Sequence, residues 1–240
     1  MIRRPFGDVQ LGAMPATCHC EATDRHFTPA RAQGELATYR RRGPTGTARL
    51  MLKSVRMLGL TPDTLLDVGA GIGVLHHELL ENRLQSAVHV EAAAAYVEAA
   101  RGEAVRRGHA SRIEFRHGDF LALAPELASA DLVTLDRVVC CYPDLESLVR
   151  MSAGKARHYY ALSFPHDRWY MRLHTWWQNR RRRRAGNLFR TFVHPVARIY
   201  AVVRETGFEV RSSRRTFAWE VLLCVRPTEH DRFSRSAKAL

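Results

Sequence analysis

The residues best equipped for chemistry fall close together in the chain. Leu65-Leu66-Asp67-Val68 is a short apolar run carrying one acid, and it opens onto Gly69-Ala70-Gly71-Ile72-Gly73. Leu75, Leu79 and Leu80 then recur at helical spacing, so the glycines occupy a tight loop between a buried strand and a helix. In an open parallel sheet that loop is where backbone amides approach a ligand, and glycines there remove side chains that would hold it away. The G-x-G-x-G spacing is one residue tighter than the dinucleotide fingerprint, and the Lys and Ser or Thr of a phosphate-binding P-loop are missing. On their own the glycines would also serve as a plain tight turn. Their acidic neighbours shift the balance. Glu91 ends a second strand about 20 residues farther on, where an acid accepts both hydrogens of a ribose diol. Asp119 follows a third strand within His117-Gly118-Asp119-Phe120, so Asp67, Glu91 and Asp119 open onto one rim.

The elements that must position these groups follow from periodicity and punctuation. Ala87 to Glu91, Arg112 to Arg116, Asp131 to Asp136 and His158 to Phe164 read as further strands, with Ala93 to Arg107 as a helix ending at Gly108. Asp144 is placed to cap a helix through Met151, and Pro195 and Gly207 bracket another. Phe208 to Ser212 and Thr216 to Val225 close the chain as two strands with no helix between them. Strands alternating with helices require crossovers, hence a mostly parallel sheet covered on both faces. The expected fold is therefore α/β: a Rossmann-like, doubly wound, mostly parallel seven-stranded sheet with a C-terminal antiparallel hairpin and an N-terminal helical cover. Residues 1–31, interrupted by Pro5, Gly7, Gly12, Pro15 and Pro29, read as an irregular lead-in. Residues 32–226 form the domain, beginning with two helices around Arg42-Gly43-Pro44, and residues 227–240 form a polar tail.

The run Leu65 to Gly73, with Glu91, Gly118-Asp119-Phe120 and Asp131 to Asp136, resembles the class I S-adenosylmethionine-dependent methyltransferases over residues from about 60 to 225. The resemblance implies S-adenosylmethionine as cofactor. It also implies Asp67 and Gly69 near the methionine ammonium and carboxylate, and Gly71 and Gly73 under the cofactor. Asp119 would accept from the adenine amino group, and Phe120 or Leu121 would pack its ring. The segment Asp131 to Asp144 is in addition partly similar to that of magnesium-protoporphyrin O-methyltransferases.

On the acceptor side, Asp136 ends the fourth strand facing the cofactor, with Arg137, Cys140 and Tyr142 in the following loop. A carboxylate acceptor needs no base, whereas a phenol, alcohol or amine needs one near pKa 7, most often His. His166 after the fifth strand and His194 before a helix are the candidates, alongside Tyr142. Residues 167–192 exceed a plain connection and read as a lid-like insertion. There Trp169, Tyr170, Leu173, Trp176 and Trp177 share a helical face ahead of Arg180 to Arg184. A helix packed on the core, a lid for a hydrophobic or anionic acceptor, and a membrane-surface or nucleic-acid contact all fit that pattern.

Lys plus Arg total 37 against 24 Asp plus Glu, a formal +13 that points to an anionic partner. No run is long and apolar enough to span a membrane or serve as a secretory signal, which suggests a cytoplasmic protein. Five cysteines without framework spacing suggest free thiols. Cys18-His19-Cys20 has the wrong spacing for the usual zinc pairs, so no metal is assigned. The expected function is methyl transfer to a small hydrophobic or anionic molecule, with O-methylation among the options. An RNA methyltransferase, a non-catalytic cofactor-binding module and a nicotinamide enzyme are the alternatives.

Overall fold

Buried throughout, the run 65–68 forms an interior strand of a seven-stranded sheet. The structure is a computed structural model that describes residues 16–227. Three helices come first: α1 (Ala16–His26), α2 (Pro29–Arg42) and α3 (Gly46–Met57). The alternating part follows as β1 (Thr64–Val68), α4 (Val74–Leu80), β2 (Ser86–Glu91), α5 (Ala94–Arg107), β3 (Ile113–His117), α6 (Phe120–Leu123) and β4 (Ala130–Leu135). The remainder is α7 (Leu145–Gly154), β5 (Ala156–Pro165), α8 (Trp169–Arg184), α9 (Val196–Glu205), β6 (Glu209–Arg215) and β7 (Trp219–Val225).

The strand order is β3-β2-β1-β4-β5-β7-β6, with the first five strands parallel and β7 antiparallel to both β5 and β6. Successive strand residues face opposite sides, and the cores divide accordingly. Leu65, Leu132 and Val221 pack with α3, α4 and α5, while Leu66, Val133 and Leu222 pack with α7 and α9. Order reverses between β1 and β4, so the crevice beyond their carboxyl ends is the ligand position of an open α/β sheet. The Asp144 cap forms as expected, its side chain accepting from the Ser147 amide at 3.0 Å.

The irregular lead-in needs correcting from residue 16 onward. Ala16–His26 is helical, and Pro29, read as an interruption, sits in the first turn of α2, where a missing N–H costs nothing. Tertiary contacts hold α1: Ala22 and Thr23 are buried, and Asp24 accepts the Ala94 amide at the start of α5 at 2.8 Å. Residues 1–15, and the expected tail from 228 onward, lie outside the described residues. For Cys18, His19 and Cys20 only the helical backbone is described. No described helix is long and apolar enough to cross a membrane.

Candidate active site

The glycine loop turns under a cavity at the carboxyl ends of β1, β2 and β4. Gly69 has φ +61° and a Cβ there would lie 2.4 Å from Val138, so neither the backbone angle nor the space admits another residue. Glu91, at the end of β2, braces the loop. One carboxylate oxygen accepts the Gly71 amide and the other the Ala93 amide, both at 2.9 Å. Burial pushes the Glu91 carboxyl above its usual range, and the Ala93 and Gly71 amides pull against that. Asp119 is buried next to it and accepts a hydrogen bond from the Tyr142 hydroxyl. Gly69, Gly71, Glu91, Asp119, Phe120, Asp136 and Tyr142 all line this cavity.

Its roof comes from distant parts of the chain. His26 and Phe27 descend from the end of α1, Arg31 and Glu35 from α2, and Arg182, Phe189 and Thr191 from α8 and the loop after it. His26 stacks on Phe189 with centroids 4.3 Å apart, and its Nδ1 meets the Asn187 amide nitrogen at 3.0 Å. Burial, with Arg182 and Arg31 beside it, lowers the His26 pKa to about 4. A second lobe shares Gly69, Gly71, Arg31, Asp136 and Arg137 and adds Asp67, Gly46 and Thr47.

Between the lobes, β4 ends in a strained turn. Arg137 is the one described non-glycine residue with positive φ, at +61°, a conformation that costs roughly 1–2 kcal/mol. A short relay holds it: the Arg137 amide donates to Ser163 Oγ, which donates to Asp136, each at 2.7 Å. Burial raises the Asp136 carboxyl, outweighing the pull of Arg137.

Comparison with known proteins finds a match over the segment that builds this geometry. Residues 66–156 match the family model described as a methyltransferase domain. That segment is similar to methyltransferase domains. The fold of the chain is similar to magnesium protoporphyrin IX methyltransferase ChlM from Synechocystis PCC 6803 with bound SAH, at TM-score 0.63 and 18% identity over 85% of this chain and 98% of that one. An O-methyltransferase family protein from Burkholderia thailandensis is alike at TM-score 0.63 and 17% identity, over 87% of this chain and 64% of that one. No curated protein matches this chain in sequence.

Not every expected site residue reaches the cavity. Gly73 does not line it: a Cβ there would lie 2.3 Å from His76, so this glycine closes the turn behind the loop. Asp67 borders the second lobe from below, its carboxylate already held by Thr134 Oγ1 at 2.7 Å and His76 Nδ1 at 3.2 Å. The three catalytic candidates need correcting. His166 turns toward the C-terminal hairpin, with Nε2 3.1 Å from the Thr216 carbonyl and Nδ1 3.7 Å from Glu220. His194 is spent on the Tyr142 carbonyl at 2.9 Å, and neither histidine lines the cavity. The Tyr142 hydroxyl lines the cavity and donates to Asp119, and burial raises its pKa well above the ordinary value, so it is not a free base. A strand end fixes the rim a residue occupies but not the direction its side chain takes.

Residues not foreseen are His26, Phe27, Arg31, Thr47 and Phe189. In the sequence Arg182 is one of the run Arg180 to Arg184, and nothing local separates it from its exposed neighbours.

Proposed function

We propose that the protein is an S-adenosylmethionine-dependent methyltransferase that esterifies a carboxylate on a small hydrophobic acceptor, with the adenosine in the first lobe and the methionine end in the second. The carrying observation is Arg182. It lines the cavity over the Phe189 ring at 5.2 Å, and its partners, Asn179, Thr191 and Gln178, are all neutral. Arg31 and Arg190 stand near it, and burial lowers the Arg182 pKa, so an unneutralised guanidinium faces an apolar wall of Phe27 and Phe189. That combination suits a carboxylate on a hydrophobic body. A flat ring system bearing carboxylates, such as the protoporphyrin named for one structural neighbour, has this chemistry.

The cofactor, when bound, supplies a methyl group on a sulfonium whose departure leaves a neutral thioether. The chain's task is then mainly to hold the acceptor in line. Glu91 keeps lone pairs free for a ribose diol, and Asp119, with one oxygen held by Tyr142, presents the other to an adenine amino group. Gly46 and Thr47, in the first turn of α3, offer unpaired amides suited to the methionine carboxylate. A carboxylate acceptor needs no base, in keeping with a cavity whose one lining histidine, His26, is held neutral and weakly basic.

The test is to label fractionated cell extract with methyl-labelled cofactor and treat the product with alkali. A methyl ester releases its label as methanol; an alkali-stable ether or methylamine would refute the reading. Arg182→Ala should raise KM for the acceptor roughly 30-fold while leaving the Kd for S-adenosylmethionine unchanged. Tyr142→Phe should do the reverse, raising that Kd about fivefold, because Asp119 loses its donor; calorimetry reads both. An RNA acceptor would instead show filter binding that weakens steeply with salt.

A further inference from the structure

The surface of α8 that faces away from the cavity is unlike the rest of the molecule. Trp169, Leu173, Trp176 and Trp177 fall within one outward sector of the helix and are all exposed, Trp169 by 76% and Trp176 by 58%. Their inward counterparts are the polar or smaller contacts: Tyr170 donates to the Phe217 carbonyl, and Asn179 and Arg182 bond to Thr191. An aromatic face packed on the core is thereby overturned. Phe217, 82% exposed at the tip of the β6–β7 turn, stacks on Tyr170 at 5.2 Å and widens the patch, as does Leu188 in the loop after α8. Six of the ten large exposed apolar side chains of the described residues lie here. A concentration of that kind marks an interaction surface.

Charge selects the partner. Arg172, Arg180, Arg181, Arg183 and Arg184 are exposed in or beside the same sector, and residues 168–204 contain no Asp or Glu. Arg181 lies over Trp177 at 4.7 Å and Arg180 over Trp176 at 5.7 Å, so indole and guanidinium are interleaved. A second copy of the chain placed on this face would set arginine against arginine. The helix is too short and too charged to cross a bilayer. Tryptophan beside arginine on an unpartnered helix is the composition that settles at the headgroup level of an anionic membrane: the rings enter the acyl boundary and the guanidiniums meet lipid phosphate.

We infer that the outer face of α8, with Phe217, docks the protein on an anionic lipid bilayer. The inner face of the same helix supplies Arg182 to the cavity, so docking holds the entrance beside the lipid, where a hydrophobic acceptor would concentrate. The docking inference stands on the outer face alone and does not depend on the acceptor.

The test is sedimentation of the full chain with vesicles of phosphatidylcholine, with and without phosphatidylglycerol, at low and raised salt. Binding is expected to the anionic vesicles, to weaken with salt, and to shift tryptophan emission to the blue. Trp169→Ser/Trp176→Ser/Trp177→Ser should lower the partition coefficient at least about tenfold, and Arg180→Glu/Arg184→Glu similarly. Calorimetric affinity for S-adenosylmethionine should stay at the wild-type value in both variants, showing them folded. No binding to anionic vesicles overturns the inference, as does wild-type binding by both variants. Retention of RNA on filters by a protein that ignores vesicles would reassign the face to nucleic acid.

Discussion

Glu91→Ala is expected to raise the Kd for S-adenosylmethionine about 100-fold or more. Two losses combine. Both oxygens of this carboxylate accept backbone amides, from Gly71 and from Ala93, and their removal leaves those amides unpaired in the floor of the cavity. Hydrogen bonds to a charged group contribute about 1.5–3 kcal/mol each, and the proposed ribose contact would add another, so the total exceeds the roughly 2.8 kcal/mol that a hundredfold change represents. Glu91→Gln separates the two. One amide oxygen still accepts, so the loop keeps part of its brace while the charge is gone, and an intermediate Kd is expected by titration calorimetry. A wild-type Kd in Glu91→Ala would remove the ribose assignment altogether.

The second large effect concerns stability in acid. Behind the glycine loop His76, His77, His89 and His109 are buried together. His76 and His77 have ring centroids 4.5 Å apart, and His77 Nδ1 meets His109 Nδ1 at 3.2 Å. Neither ring nitrogen of His89 has a hydrogen-bond partner. Burial first, then the neighbouring histidines and Arg107, lower His77 to about 2; burial, His76, His77 and Arg101 lower His89 well below its ordinary value. Asp67 faces His76, while Glu103 works against the cations at His77 and Glu81 at His109.

In the unfolded chain these groups titrate near the usual ~6.5. As pH falls below that value the unfolded state takes up protons that the folded state refuses. Stability is therefore present above the unfolded pKa and drains away as pH drops, by about 1.4 kcal/mol per unit for each fully buried histidine. For His77 alone the loss between pH 6 and pH 4 is about 2.5 kcal/mol, and His89 adds to it in the same direction. Circular dichroism should show cooperative acid unfolding centred between about pH 4 and 5. His89→Leu removes two unsatisfied nitrogens and one refused proton. It should stabilise the protein by about 1 kcal/mol at neutral pH and by more at pH 5. Stability that stays flat from pH 7 to pH 4 would sink the argument.

Most of the scaffold was readable because strong local rules coincide there. The apolar run before the glycines, the acids closing β1 and β2, the Asp144 cap and the Pro195–Gly207 bracket each carry their own physical reason. The roof was not readable. The α1 helix is held by partners far along the chain, His26 meeting Asn187 across 161 positions. No window of sequence contains that information. The histidine cluster leaves a trace in the sequence: His89 stands inside the run Ala87-Val88-His89-Val90, where a parallel strand covered on both faces leaves a polar ring no route to water.

The roof also bears on the order of events during synthesis. Its first helices leave the ribosome early, yet their seats, Ala93, Tyr96 and the Asn187 loop, emerge much later. Closure over the crevice therefore waits until the Asn187 loop has been made. Contacts made late and across such long stretches of chain are the natural first to reopen. If a nucleoside is held in the cavity, its exit is expected to require these roof contacts to open.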